Sequence, residues 1–245
     1  MQREPAFSFA RAFQRHVRDS VRQYGAPRTL LQVAEALLRL LRELAPARRR
    51  ASYGDLDYDF DHLVDTTRAN VSFRTQLTAA LTGHQYFPTE PWLFDEMMQA
   101  LPIEFNQYTF IDIGSGKGRV LLMAAGYGFR KIVGVEFIPA LHRVAAENIL
   151  KFIHEQRSGV EMQNLCMDAR DYLFPVSPLV VYLFNPFPLP VLKSVLRNLR
   201  TSSELHPGPI HIVYRYPEFA ADLAKEDWLS KVAETEQWIV YTNRP

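Results

Sequence analysis

The chain is short of several things. It has one cysteine, Cys166, in 245 residues. A lone thiol forms no internal disulfide, so the core must hold the fold, and a reducing, cytoplasmic location is expected. Cys166 itself reads as a small buried residue in a strand. Long apolar runs are missing too. No stretch approaches the roughly 18 residues that span a bilayer, so no membrane span is expected. The first residues lack the apolar core of a signal peptide. Charge of one sign is also lacking. The net charge of +1 supplies no general attraction for polyanions, and duplex nucleic acid is not an expected partner.

Metal-ligand spacing is absent as well. His62, His84 and His142 lie far apart and have no paired cysteines, while His206 and His211 flank a Pro-Gly turn. Of these, His84 and His142 are expected to line a pocket. Asp55, Asp57, Asp59, Asp61 and Asp65 alternate like a calcium loop. Such a loop needs glycine at its sixth position and glutamate at its twelfth. Counted from Asp55, those places hold Phe60 and Thr66, so no metal is expected. The acidic run is read instead as an ordered loop answering nearby arginines, or as a pocket wall.

What is present starts with a sizeable apolar fraction, 47%, enough to build one large domain or one domain with an appendage. The organising stretch is Tyr108–Ala125. Residues 108–113 are β-branched and aromatic except for Asp112, the pattern of a strand buried on both faces. Gly114, Gly116 and Gly118 follow at alternate positions. Val120, Leu121, Leu122, Ala124 and Ala125 then recur at helical spacing. Strand, glycine turn and helix form a unit that can present backbone N–H groups to a ligand. A phosphate-cradling loop would end in Gly-Lys-Ser or Gly-Lys-Thr. Here Gly118 and Arg119 follow Lys117, and that reading fails. A dinucleotide fingerprint would have its third glycine where Arg119 stands. A second buried strand, 131–137, ends in Glu136 and Phe137. Glu136 lies 22 residues beyond Gly114, a position suited to accepting ribose hydroxyls.

The remaining order, Asp-x-Gly-x-Gly-x-Gly and then an acid after the next strand, resembles motif I of the class I S-adenosylmethionine (SAM) methyltransferases. The resemblance covers about the last 160 residues. It implies SAM as cofactor, with Asp112, Gly114, Ser115, Gly116, Gly118, Glu136 and Phe137 around it. Asp168 and Ala169, after a third strand at 160–167, would then meet the adenine; Asp168 also reads as an N-cap for the segment starting at Arg170. A fourth strand, 179–184, leads into Asn185-Pro186-Phe187-Pro188, which resembles motif IV of amino-directed methyltransferases. By that resemblance Asn185 orients a target nitrogen and Phe187 packs against it. The match is altered, because Phe187 stands where a second proline belongs and Pro188 where the aromatic belongs. Tyr86, Pro88 and Thr89 resemble a segment that covers the methionine end of SAM in some protein-lysine methyltransferases. Thr89 is also a plausible N-cap for a helix with Pro91 in its first turn. The wider pattern resembles a group of bacterial SAM-dependent methyltransferases and implies no particular acceptor. A protein lysine or peptide and a small molecule both stay open, as do an oxygen acceptor and a non-catalytic SAM-binding sensor.

The fold expected is α/β: a seven-stranded, doubly wound, mostly parallel sheet with an N-terminal helical cap. Helices are expected at 139–156, after 188, and at 218–225. Further strands are expected at 209–216, 228–234 and 237–242, the last two as an antiparallel pair. Residues 1–85 are read as a helical cap and acidic loop, and residues 86–245 as the SAM-binding core. Residues 1–50 hold 11 Arg, no Lys and 4 acids. Phe9, Phe13, Val17 and Val21 recur every four residues, predicting a helix with one apolar and one basic face that stops at Gly25. A second helix is predicted from Thr29 to about Leu44, apolar nearly all round and therefore buried.

Overall fold

The computed structural model describes residues 8–43, 56–67, 75, 87–156, 159–184 and 188–244. The glycine motif falls where expected: strand β1 (Thr109–Ile113), a turn, then helix α5 (Arg119–Ala125). Ahead of it come α1 (Phe9–Tyr24), α2 (Ala26–Glu43), the short α3 (Leu56–His62) and α4 (Pro91–Gln99). After it come β2 (Lys131–Glu136), α6 (Pro139–Gln156), β3 (Glu161–Cys166), β4 (Leu179–Phe184) and α7 (Leu189–Leu205). The chain ends with β5 (Ile210–Arg215), α8 (Ala220–Leu223), β6 (Ser230–Glu234) and β7 (Trp238–Thr242).

The seven strands form one sheet in the order β3-β2-β1-β4-β5-β7-β6. The first five pair in parallel, and β7 runs antiparallel to both β5 and β6. Chain order reverses between β1 and β4. In open parallel sheets, ligands collect outside the carboxyl ends of the strands at such a reversal.

Side chains alternate across this sheet because the pleat has period two. Phe110, Ile132, Val180, Tyr182 and Val213 face one layer, with Leu93, Phe94, Met97 and Met98 of α4 and Leu121 of α5. Ile111, Ile113, Val133, Val181 and Leu183 face the other, against Val191, Leu192, Val195 and Leu199 of α7. Both faces are covered, which is why these strands read as continuous apolar runs.

Two predicted boundaries move for local reasons. Helix α2 starts at Ala26 rather than Thr29. Gly25 takes φ 79°, and the chain re-enters a helix at once, with Pro27 in the first turn. Thr29 is therefore no N-cap; its hydroxyl bonds back to the Gly25 carbonyl at 3.0 Å. Leu30, Leu31 and Leu38 of α2, expected to be buried, are exposed. Thr89 does not cap α4 either. Glu90 holds the cap position, and the Thr89 hydroxyl lies 2.8 Å from that of Tyr182.

The predicted N-terminal cap lies over one end of the sheet. Phe9 and Ala12 of α1 pack on Phe137, Ile138 and Leu141, just past β2, with the Phe9 and Phe137 rings 5.1 Å apart. Arg15 reaches Asp168 at 3.2 Å and Asp171 at 2.9 Å, and Asp19 pairs with Arg170. Of the α1 arginines, Arg15 is paired with these acids, while Arg11, Arg18 and Arg22 are exposed.

Candidate functional site

The glycine turn has the conformation its sequence implies. Gly114, Gly116 and Gly118 have φ of 93°, 55° and 86°, a region costly for any residue with a Cβ. A Cβ on Gly118 would also sit 3.2 Å from that of Ala145 in α6. Thus Gly118 gives the close helix approach that a dinucleotide fingerprint takes from the next position.

Four of the turn's amides are engaged inside the protein. Gly114 and Ser115 N–H both donate to the Val135 carbonyl, at 2.8 and 3.1 Å, and Gly118 N–H donates to the Ser115 carbonyl at 2.8 Å. Gly116 N–H donates to Glu136 Oε2 at 2.8 Å. These four amides of the expected row of backbone donors are committed to the protein, and beside them the turn offers the bare surface of three glycines.

Glu136 ends β2 buried, and its other oxygen accepts from Ile138 N–H at 2.7 Å. Burial pushes its carboxyl up to about 7, against the pull of these backbone donors. Asp112 of β1 is also buried. Loss of solvent and the neighbouring Glu136 hold its carboxyl well above the usual range. The two acids thus lie on adjacent strands, and Glu136 disfavours charge on Asp112.

Ser115, Asn164 and His142 form a chain beside the turn. Ser115 Oγ donates to Asn164 Oδ1 at 2.9 Å, and Asn164 Nδ2 lies 3.0 Å from His142 Nδ1. Burial lowers the His142 pKa, so the ring stays neutral and accepts. This contact needs Gly134 on β2, where a Cβ would stand 2.4 Å from Asn164 Oδ1 and 2.9 Å from Ser115 Oγ. His142, expected to line a pocket, sits by the turn through Asn164; His84 lies outside the described residues. Cys166 is half-buried at the end of β3, its thiol pushed up to about 11 by burial and then by Glu136.

Asp168, after β3, is already occupied. It caps the turn Ala169–Asp171 by accepting from Arg170 N–H, and its carboxylate grips the Arg170 guanidinium, with Arg15 adding a further cation. Burial alone would raise this carboxyl, but the hydrogen bonds and charges of Arg170 and then Arg15 hold it below its ordinary value. Ala169 is buried beside it.

Asp59 and Asp65 of the acidic segment engage the glycine motif. Lys117 and Arg119 are almost wholly buried. Lys117 Nζ reaches Asp65 at 2.7 Å and the Thr67 carbonyl at 2.8 Å. Arg119 donates to Thr66 Oγ1 at 2.7 Å, pairs with Asp59 and lies over the Tyr58 ring. Asn148 of α6 joins the two parts, accepting from Asp65 N–H and donating to the carbonyls of Asp65 and Lys117. No group of three metal-ligating side chains occurs among the described residues.

At the other half of the reversal, β4 and β5 end in Phe184 and Arg215, which are register partners. The Arg215 guanidinium lies 4.0 Å above the Phe184 ring centroid and pairs with Glu90. Beside it, burial raises the Tyr182 hydroxyl well above its ordinary value. Arg215 was not singled out from sequence; the available signal was a charged residue closing an apolar strand, as Glu136 closes β2. Pro88 adjoins Thr89 and is half-buried. Tyr86, Asn185 and Phe187, predicted to hold SAM or the acceptor, lie outside the described residues.

No protein-family model matches the chain, and no curated protein does. Among solved structures, the chain is similar to an RNA methyltransferase from Salinibacter ruber in complex with S-adenosyl-L-homocysteine. The identity is 22%, covering 64% of this chain and 92% of that one, with a TM-score of 0.37. It is also similar to a precorrin-6y C5,15-methyltransferase from Geobacter metallireducens, at 17% identity over 63% and 88% of the two chains, TM-score 0.43. A third is a ribosomal protein L11 methylase from Lactobacillus delbrueckii, at 15% over 62% and 74%, TM-score 0.39. No helix among the described residues is long and apolar enough to cross a membrane.

Proposed function

We propose that the chain is a SAM-dependent methyltransferase. The observation that carries this reading is the pairing of Gly116 N–H with Glu136 across the ends of β1 and β2. It sets a bare glycine surface next to a buried carboxylate at the sheet's reversal. A carboxylate there suits ribose hydroxyls, and the glycines admit an adenosyl group closely. Four of the neighbouring amides are committed internally, which weakens the turn as an anion nest. That favours a ligand without phosphates over NAD or ATP.

In this reading Asp112, Gly114, Ser115, Gly116, Gly118, Glu136 and Phe137 surround the cofactor. Asp168 and Ala169 lie toward the adenine, and Tyr86, Pro88 and Thr89 toward the methionine end. Residues 1–85 act as a cover on the core formed by residues 86–245. Asn185 accepts hydrogen bonds from a target nitrogen and aims its lone pair at the methyl group, with Phe187 against it. Methyl transfer asks mainly for this in-line placement, which can supply about 7–11 kcal/mol of the barrier.

Thermal-shift and calorimetric titration with SAM, S-adenosylhomocysteine (SAH), NAD and ATP test the cofactor. Selective binding of SAM and SAH is expected; preference for NAD or ATP sinks the reading. Asn185→Ala is expected to keep SAH affinity and lose turnover in a substrate panel. Normal turnover would remove Asn185 from the chemistry.

A further inference from the structure

We propose that Arg215 anchors an oxyanion, a carboxylate or a phosphate, carried by the methyl acceptor. This rests on the methyl-transfer reading and adds the class of acceptor to it: a small anionic molecule. Arg215 is almost fully buried at the carboxyl end of β5. Its Nε and Nη1 are buried with no hydrogen-bond partner among the described residues. Nη2 is engaged by Glu90, and the Tyr182 hydroxyl lies within hydrogen-bonding reach of the guanidinium. A guanidinium has five N–H donors and no acceptor, so only an acceptor atom can complete it. A buried donor left unmade is costly. An acceptor that arrives charged gains the stronger, charge-assisted bond.

Other groups around Arg215 do not complete it. The Tyr182 hydroxyl is shared between Thr89 and the guanidinium and leaves Nε and Nη1 without a partner. Asp112, whose carboxyl burial and Glu136 hold well above the usual range, is a disfavoured charged partner. Glu90 is half-exposed at the start of α4 and balances the cation only from the solvent side.

Arg170 provides the contrast within the same fold. It too is a buried arginine just past a strand, yet its Nε, Nη1 and Nη2 all reach Asp168 or Asp19. That guanidinium is finished by the protein; the one on β5 is left open.

Position supplies the link to the acceptor. Most of the assigned cofactor residues lie at the ends of β1, β2 and β3. Thr89, assigned to the methionine end, reaches Tyr182 of β4, so SAH-saturated protein is the state in which an acceptor oxyanion is told apart from the cofactor's own carboxylate. Arg215 is the register partner of Phe184, the residue immediately before Asn185. An oxyanion held there lies next to the segment assigned to the target nitrogen.

The experiment starts from SAH-saturated protein. Sodium acetate and inorganic phosphate are titrated separately, against sodium chloride of equal ionic strength, with the thermal midpoint as readout. A saturable rise beyond chloride is expected for wild type and its loss for Arg215→Met, with the SAH-induced shift unchanged in that variant. A response to acetate assigns a carboxylate, and a response to phosphate assigns a phosphate. A wild type that answers neither anion more than chloride overturns the proposal, as does Arg215→Met answering like wild type. Should Arg215→Met fold poorly, the arginine Nε–H resonances of wild type are followed by NMR during the same titrations. The resonance missing in Arg215→Lys is expected to shift saturably, and its indifference overturns the proposal. Failure of SAH to bind wild type would instead refute the methyl-transfer reading, a separate result.

Discussion

Lys117 and Asp65 are joined at 2.7 Å, with the lysine side chain almost wholly buried and the aspartate about one-third exposed. The pair ties the segment before α4 to the middle of the glycine turn. Lys117 is thereby committed to structure, in a position where a phosphate-binding loop would aim it at a ligand.

Breaking that pair from its two sides should have unequal consequences. Asp65→Asn leaves a buried ammonium with the Thr67 carbonyl as its remaining partner among the described residues. Loss of one partner of a fully buried pair costs about 3–5 kcal/mol, and the exposure of Asp65 reduces this to about 2 kcal/mol. Lys117→Met removes the charge along with its desolvation penalty, and should cost less than about 1 kcal/mol. Urea unfolding of both variants and the double mutant measures the difference. Equal losses from the two single changes would show that the buried ammonium is not dependent on Asp65.

Gly134 was not singled out in the sequence reading, yet it carries a specific expectation. A Cβ there would meet Asn164 Oδ1 at 2.4 Å, Leu121 Cδ1 at 2.6 Å and Ser115 Oγ at 2.9 Å. Gly134→Ala must part the Ser115–Asn164 hydrogen bond and push α5 from the sheet, at about 2 kcal/mol. Asn164→Ala loses the same hydrogen bond without the overlap and should cost about half as much. Guanidinium unfolding of the two variants checks the order. A Gly134→Ala protein as stable as wild type would mean that the strand and the turn separate freely.

The core was legible because it is written in periods. Buried strands appear as unbroken β-branched runs and α6 as an apolar stripe, and both ends of α6 fall where predicted. The roles of Thr29, Thr89 and the acidic segment were not legible, since each depends on a distant partner. Thr89 bonds Tyr182, and Asp59 and Asp65 bond Arg119 and Lys117. Period reports which face is buried, whereas a polar side chain's partner is set by the assembled sheet. The exposed leucines of α2 make the converse point: an apolar stripe does not say what, if anything, it packs against. Within the candidate site, Glu136 was legible through its distance from the glycines. Arg215 was not, because no motif marks it.

Stability should depend on pH through two carboxylates with opposite signs. Glu136 has a folded-state value of about 7, raised from 4.5. Its folded form holds the proton longer, so its contribution is fully present below about 4.5 and is lost as pH rises through 7. Asp112 is raised in the same direction. Asp168 is depressed, so its contribution is present above its ordinary value of 3.8 and is lost as the medium becomes more acid. Between pH 5 and 8 the apoprotein should lose about 3 kcal/mol relative to Glu136→Gln, which has no carboxyl to ionise there. Chemical unfolding across that range measures the two curves. Parallel curves would show that Glu136 is as ionised in the fold as in the unfolded chain.

The same titration should control the cofactor. Ribose hydroxyls donate best to an ionised carboxylate, since a protonated one has lost part of its acceptor capacity. With the folded-state value near 7, Glu136 is ionised above neutrality and must release a proton on binding below it. The dissociation constant of SAH should therefore be nearly flat above about pH 7.5 and rise up to tenfold for each unit below about 7. The amino and carboxyl groups of SAH titrate outside this window, so the slope belongs to the protein. Calorimetry at pH 6.5 in buffers of different ionisation enthalpy should count close to one proton released. Glu136→Gln should bind weakly and without the slope. A flat affinity between pH 5.5 and 8 in wild type, with no proton released, would detach the sugar from Glu136 and with it the placement of the adenosyl group over the glycine turn.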